Sequence, residues 1–159
     1  MYSLSREFAA YIQSKSPDYL DSRAIAFIDP RIDRWESLVQ QVAPEVRVFV
    51  LELTNSGIDT VTQTLSNSSC CQIYLVAAGS PGTLMLGASE LSRNTLIQHE
   101  AKLQNWFARI NSSCVPCIHI SGCNVAAGDV GAEFIERLSS IIGAEIACSA
   151  NVYATRIFN

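Results

Sequence analysis

LVAAGSPG, residues 75–82, begins as an apolar run and ends as a loop with two glycines and a proline. A second segment, IHISGCNVAAGD at residues 118–129, has the same outline and carries Cys123 in its loop. Near-continuous apolar runs of this length are typical of strands that are covered on both faces. If the two strands are neighbours, their loops meet at one edge of the sheet, and Ala78 lies near Cys123.

The two strands are predicted over residues 72–77 and 115–121. Three further runs, at residues 24–29, 46–53 and 144–149, are rich in Ile, Val, Phe and Ala. Segments with helical spacing separate the strands, and their apolar positions are Trp35, Leu38, Val39 and Val42; Ile58, Val61 and Leu65; Leu91, Leu96, Ile97, Leu103 and Trp106; Val130, Phe134, Ile135, Leu138, Ile141 and Ile142. This alternation predicts an α/β fold, a three-layer sandwich with a mostly parallel central sheet and helices on both faces. Such sheets bind ligands at the carboxyl ends of their strands. We expect one domain over residues 1–159, with residues 1–20 as a helical extension whose helix covers residues 3–14.

The composition excludes several classes of protein. The chain has 159 residues, of which 48% are hydrophobic, and a formal charge of −4. A core of useful size is therefore expected, whereas a basic surface for nucleic acid is not. No apolar run is long enough to cross a membrane, and the first 15 residues lack the apolar centre of a signal peptide. Six cysteines favour a reducing compartment, so we expect the isolated chain to be cytoplasmic, or secreted or at the cell surface as part of a larger protein.

Cys123 follows a buried strand and precedes a helix, where backbone N–H groups and the helix dipole stabilise a thiolate. A cysteine nucleophile also needs a base and donors for the oxyanion, and the loop of a neighbouring strand is a natural source of both. Gly79 can donate its backbone N–H, but the methyl group of Ala78 cannot accept a proton. The alternative is that Cys123 is a small buried apolar side chain.

Three segments resemble a family known as a domain of unknown function. They are FIDPRIDRWESLVQQVAPEVRVFVLE, LVAAGSPGTLMLGASEL and ISGCNVAAGDVGAEFIERLSSIIGAEIACSANV, and the resemblance spans about residues 25–152. The family is found near the N-termini of large cyanobacterial and other bacterial surface proteins with cadherin-like or calcium-binding repeats. It is similar in turn to cysteine peptidases of the caspase, gingipain and legumain group, in which His-Gly follows strand three and the nucleophilic cysteine follows strand four.

This resemblance implies Cys123 as nucleophile, Gly79 as oxyanion-hole glycine and position 78 as the general base. The family pattern LVxHGSPG has histidine where this chain has Ala78. Either the chain is a natural pseudoenzyme, or a histidine has been replaced to silence a peptidase. The resemblance also implies that an acid at the end of the first strand, here Asp29, selects a basic residue before the cut. The alternative is that Asp29 caps the turn that Pro30 directs.

Other polar residues have simpler interpretations. His119 lies on the strand before Cys123 and is expected to be a core or sheet histidine, about 13 Å away at 3.3 Å per residue. His99 is expected on a solvated helix surface. Asp129 is expected to cap the helix that begins at Val130, with substrate contact as the alternative.

The remaining cysteines allow further alternatives. Cys114-Val-Pro-Cys117 has the spacing of a redox dithiol, but a strand follows it where such a site needs a helix. Cys70 and Cys71 precede the neighbouring strand, so the four cysteines could bind zinc or form a disulfide. The glycines of GSPGTLMLG match no nucleotide-binding pattern.

These observations predict a caspase-like cysteine peptidase domain that is inactive as written and that requires no metal or organic cofactor. Its substrate is expected to be a peptide or its own precursor chain, with no nucleic acid partner and no membrane insertion. The alternative is a noncatalytic interaction or scaffold domain with the same fold.

Overall fold

The computed structural model describes residues 24–110, 113–155 and 157–158 of the chain. In chain order its elements are β1 (Ala24–Ile28), α1 (Trp35–Gln41), β2 (Val46–Val50), α2 (Gly57–Leu65), β3 (Gln72–Val76), β4 (Gly79–Ser80), β5 (Thr83–Leu86), β6 (Ser89–Ser92), α3 (Leu96–Gln104), β7 (Cys117–Ser121), α4 (Gly128–Ile142), β8 (Glu145–Ser149) and a short 3-10 helix (Val152–Ala154).

The central sheet is parallel and has the strand order β2-β1-β3-β7-β8. Ile73 of β3 lies opposite Ile25 of β1 and Ile118 of β7. Parallel strands need crossover connections, and the helices between the strands supply them. As a result, all five strands end at one edge, where the loops after β3 and β7 are neighbours.

Each face of the sheet is covered by its own apolar core. On one face, residues such as Phe27 and Leu75 pack with the buried sides of α2, α3 and α4. On the other face, Ile28 and Val76 pack with α1 and Ile157. Because successive side chains of a strand point to opposite faces, two buried faces require nearly continuous apolar sequence. This confirms the predicted α/β fold with a parallel central sheet and helices on both faces.

Strands β4, β5 and β6 form a separate antiparallel sheet, here called the hairpin sheet (residues 79–92). Hydrogen bonds join it to the loops that follow β1 and β2. Gly87 N–H donates to Asp29 Oδ2 at 2.8 Å, and Ala88 N–H donates to the Asn55 carbonyl at 2.8 Å. Gly87 has a φ of 58°, and a Cβ atom there would lie 2.7 Å from the Glu52 carbonyl oxygen. Only glycine combines this conformation with so close a contact.

The sequence predicted the five strands of the central sheet, and their ends differ from the structure by up to three residues. One helix prediction was wrong, because Leu91 lies in β6 and α3 begins only at Leu96. Both leucines enter the same core, so their spacing imitated a single helix face. The predicted N-terminal helix lies outside the described residues.

Within the described part of the chain, no helix has both the length and the apolar character needed to span a membrane. A disulfide joins Cys71 to Cys114, with 6.2 Å between their Cα atoms. It connects the segments that precede β3 and β7, at the end of these strands away from the loops that carry Ala78 and Cys123. Of the two possibilities left open for the four cysteines, the structure therefore has the disulfide.

We predict that Cys71→Ser lowers the free energy of unfolding by about 2–4 kcal/mol, since a cross-link over this separation restricts the unfolded chain. Urea denaturation without reductant measures the change. Cys117→Ser, which removes a half-buried thiol outside the disulfide, is the matched control. Reductant should bring the unchanged chain to the stability of Cys71→Ser, and equal stability of the two chains without reductant would contradict the prediction.

Candidate functional site

The candidate site lies at the edge of the central sheet where the loops after β3 and β7 meet. Ala77 N–H donates to the Ser121 carbonyl at 3.0 Å, so the pairing of the two strands continues up to these loops. Gly82 N–H in the first loop donates to the Val125 carbonyl in the second at 2.8 Å. The two segments that the sequence marked out are therefore in direct contact.

The chain turns sharply just before Cys123. Gly122 has a φ of 96°, a conformation that side chains disfavour, and its N–H donates to the Ser149 carbonyl at 3.1 Å. The turn directs the Cys123 side chain into the core formed with α2, α3 and α4 and leaves it 8% exposed. Cys123 is therefore buried in this core, as the alternative of a small buried side chain expects.

The Cys123 sulfur faces the backbone of Gly79. A Cβ atom at Gly79 would lie 3.3 Å from Cys123 Sγ and would collide with the carbonyl oxygen of Thr83. Glycine at this position therefore allows the thiol and the backbone of the first loop to approach each other.

The N–H of Gly79 is directed away from the rest of the hairpin sheet. Gly79 pairs with Leu84, and Met85 N–H donates to the Ala78 carbonyl at 2.9 Å. Antiparallel pairs alternate between hydrogen-bonded and non-hydrogen-bonded, so a bonded Ala78–Met85 pair makes Gly79–Leu84 a non-bonded one. The Gly79 N–H is therefore not used in the pairing with β5.

Ala78 immediately precedes Gly79 and is half-buried. Its Cα is therefore about 3.8 Å from the Cα of the residue that contacts the sulfur. The methyl group that occupies this position carries no proton acceptor.

Burial raises the pKa of the Cys123 thiol, and a hydrogen bond from the Val125 backbone opposes this effect only in part. Cys148 on the adjacent strand has its pKa raised to about 11, first by burial and then by proximity to Cys123. Both sulfurs are thus held as thiols at neutral pH. Among the described residues, no positive group lowers the Cys123 pKa, as a cation beside a cysteine nucleophile would.

Asp29 lies at the end of β1 and is completely buried. Its Oδ1 accepts from Arg31 N–H at 2.9 Å, and its Oδ2 accepts from Arg31 Nη1 at 3.0 Å and Gly87 N–H at 2.8 Å. The bond from Arg31 N–H is the contact expected if Asp29 caps the turn that Pro30 directs. The other two tie the carboxylate to an arginine and to the hairpin sheet.

Neither histidine reaches the site in the way a base must. His119 stacks on Tyr74 with 4.4 Å between the ring centroids, and its Nε2 lies 2.9 Å from Gln72 Oε1. Burial lowers the His119 pKa, which fits the predicted sheet histidine. His99 lies on α3 as predicted, but it is half-buried and its Nδ1 has no hydrogen-bond partner in the described residues, so the prediction of a solvated position was wrong.

The predicted cap of α4 was also wrong. The helix begins at Gly128 after Ala127, whose side chain caps nothing, and Asp129 lies exposed in the first turn. Asp129 can still interact favourably with the helix dipole from there. Its carboxylate fails as a cap because the helix starts at Gly128, two residues before the predicted start at Val130.

Cys114 is paired with Cys71 and not with Cys117, where β7 begins directly. In the ranges that the structure describes, no three His, Cys, Asp or Glu side chains converge on a place for a metal ion. GSPGTLMLG forms β4 and β5 of the hairpin sheet, so it does not lead into a helix as a phosphate-binding loop does.

Sequence reasoning missed the hairpin sheet and two apolar residues near Gly122, Ile32 and Val152. The short β5 and β6 are separated by Gly87-Ala88, and a two-residue turn containing glycine is a hairpin signal that could have been recognised. Ile32 and Val152 carry no comparable signal, because their approach to Gly122 depends on the tertiary arrangement.

The structure is a three-layer α/β domain. Its candidate site is a buried thiol at the edge where the loops after two neighbouring parallel strands meet. The chain matches the family described as "Domain of unknown function (DUF4347)" over residues 25–155, and it belongs to that family.

Among solved structures the chain is similar to caspase-1 from Spodoptera frugiperda, with 13% identity and a TM-score of 0.39. The similarity covers 65% of this chain and 48% of the caspase, so the chain spans about half of that protein. At this degree of similarity the comparison does not bear on activity. No curated protein matches the chain.

We predict that Gly79→Ala destabilises the fold by about 1–3 kcal/mol, because the added methyl group collides with the Thr83 backbone and presses on Cys123 Sγ. Thermal or urea unfolding measures the loss. Ser80→Ala is the matched control, since Ser80 is the exposed neighbour in the same short strand. Equal stability of the two variants would show that Gly79 has more space than the structure gives it.

We predict that iodoacetamide modifies Cys123 slowly at pH 7, with a rate that is still rising at pH 9. A raised pKa means that less thiolate is present at any pH below it, and the thiolate is the form that reacts. Peptide mass spectrometry measures the rate at Cys123, and the same chain in urea provides the unperturbed comparison. A plateau below pH 7 would contradict the prediction.

Proposed function

We propose that this is a cysteine peptidase domain in which Cys123 occupies the nucleophile position and Ala78 the position of the general base. The observation that carries the proposal is the approach of Cys123 Sγ to the Gly79 backbone, at 3.3 Å from where a Cβ would lie. A thiol beside an outward-directed N–H has the two parts that acyl transfer needs from the protein besides a base. As written, the chain is inactive or nearly so.

The missing base defines the chemistry. An imidazole at position 78 would take the thiol proton, and the Cys123 thiolate would attack the carbonyl carbon of a peptide bond while Gly79 N–H binds the oxyanion. The C–N bond then breaks, the imidazolium gives its proton to the departing amine, and an acyl-thioester remains. Water activated by the same imidazole hydrolyses the thioester and restores the thiol. No step requires a metal or an organic cofactor.

Ala78 has two explanations within this proposal. The chain is a natural pseudoenzyme, or a histidine has been replaced to silence it. A second candidate function, a noncatalytic interaction or scaffold domain, is favoured by the raised pKa of Cys123, since burial without a positive neighbour leaves the thiol unreactive.

We further propose that the domain works within a larger bacterial surface protein and acts on a peptide or on its own precursor. The Cys71–Cys114 disulfide supports this location over the cytoplasm, because disulfides persist in oxidising compartments. Cleavage within one precursor would be effectively unimolecular, so a modest catalyst would suffice.

The test is to restore a base with Ala78→His. We predict that this variant cleaves itself or a peptide substrate at least about 100-fold faster than the unchanged chain, the usual contribution of a positioned base. Adding Cys123→Ala should abolish the gain. Ala88→His is the matched control, because it puts a histidine at an exposed alanine of the same hairpin sheet.

Mass spectrometry of the purified chains and a pooled peptide library measure cleavage. Activity in Ala78→His that survives Cys123→Ala would exclude Cys123 as the nucleophile. Equal inactivity of Ala78→His and Ala88→His, with both folded by circular dichroism, would favour the scaffold domain.

A further inference from the structure

We infer that the α1 face of the central sheet carries a second binding site, a cleft over Ala147 that takes a small, uncharged, planar aromatic molecule. The cleft lies beside the stacked rings of Tyr74 and His119 and has a volume of about 350 Å³. Binding sites for small molecules start at about 300 Å³. This inference goes beyond the proposed peptidase activity and does not depend on it.

Tyr74, His119 and Ala147 form one row across the α1 face of the sheet. They are direct partners in the pairing of β3 with β7 and of β7 with β8. Their neighbours along the strands, such as Ile118, pack in the core on the other face, and successive side chains of a strand point to opposite faces. The row therefore lies on the face opposite to the core that contains Cys123, and the cleft is separate from the candidate site.

The row begins as a stack of rings and stops one strand short of the edge. The rings of Tyr74 and His119 have centroids 4.4 Å apart and planes 10° from parallel. This spacing is close to the distance of about 4.8 Å between neighbouring strands. In the described part of the sheet β8 is the outermost strand on this side, and there Ala147 contributes only an exposed methyl group. A ring placed over Ala147 would continue the stack at the same spacing.

The imidazole that would receive this ring is already held in place. Tyr74 covers the face of the His119 ring that is turned toward β3, so the other face is turned toward β8 and the cleft. The Nε2 atom of His119 lies 2.9 Å from Gln72 Oε1, and this hydrogen bond fixes the orientation of the ring. A fixed surface loses little freedom when a ligand binds, which favours affinity.

The lining of the cleft favours an uncharged ligand. Besides His119 and Ala147 it includes Ser149 of β8 and, from the segment after β8, Ala154 and Thr155. None of the described residues that line the cleft is Asp, Glu, Lys or Arg. Burial lowers the pKa of His119, so the imidazole is neutral at pH 7. A charged ligand would therefore lose hydration in the cleft without gaining an opposite charge, which is unfavourable.

The test titrates the isotope-labelled full chain with benzamide, cyclohexanecarboxamide and benzoate, and NMR spectra of the backbone amides report the place and the affinity of binding. We expect benzamide to shift the amides of His119, Ala147 and Ser149. It should bind about three- to tenfold more tightly than the saturated amide, because stacking of aromatic rings adds to the burial of apolar area. Benzoate should also bind more weakly than benzamide. The absence of a saturable shift at these amides, or equal affinity of benzamide and either other compound, would overturn the inference.

A substitution that fills the space over the edge strand provides the second arm. Ala147→Leu should weaken benzamide binding at least about tenfold, because the larger side chain occupies the place of the ligand ring. Ala101→Leu is the matched control, since Ala101 is an exposed alanine of α3, which packs on the other face of the sheet. Both alanines are exposed, so both variants should fold, and circular dichroism checks this. Equal binding of benzamide by the two variants would overturn the inference.

Removing the stacking surface provides the third arm. His119→Ala should abolish the preference for benzamide over cyclohexanecarboxamide, because the planar ligand then has no imidazole on which to stack. A purely structural role of His119 would weaken binding of the two amides equally and leave their ratio unchanged. A ratio that persists in His119→Ala would therefore overturn the inference.

Discussion

The parallel pairing of β3 with β7 is the constraint on which the site depends. It brings the ends of both strands to one edge and continues through the bond from Ala77 to Ser121. Gly79 and Cys123 are therefore neighbours, although about 45 residues separate the two loops in sequence. The hairpin sheet completes the arrangement, because its bonds to Asp29 and Val125 hold Gly79 against the sulfur. The pairing of β3 with β7 thus brings the two loops together, and the hairpin sheet fixes how closely Gly79 approaches the Cys123 sulfur.

At this edge of the sheet the buried carboxylate is paired and the thiol is buried. Asp29 and Arg31 satisfy each other, and the Cys123 pKa is raised because the sulfur is buried beside neutral groups.

The sequence predicted the central sheet well, since strands buried on both faces leave an apolar signature that is independent of the rest of the chain. It also indicated that the loops after β3 and β7 meet, because the order of strands in such folds follows general rules. It could not predict where helices begin when apolar residues of a strand and a helix enter the same core, as Leu91 and Leu96 do. The contacts of Asp29 and the approach of Ile32 and Val152 to Gly122 arise only from tertiary packing.

The disulfide has a consequence for a chain that is cut. Cys71 and Cys114 lie on either side of β3, the hairpin sheet and α3, and the bond links the starts of the same two strands whose ends meet at the thiol. A nick anywhere in the exposed turns between these cysteines would leave two polypeptides that remain covalently attached and that migrate as one species until reduced. Cleavage between Cys71 and Cys114 would therefore give a molecule of two chains that the disulfide holds together.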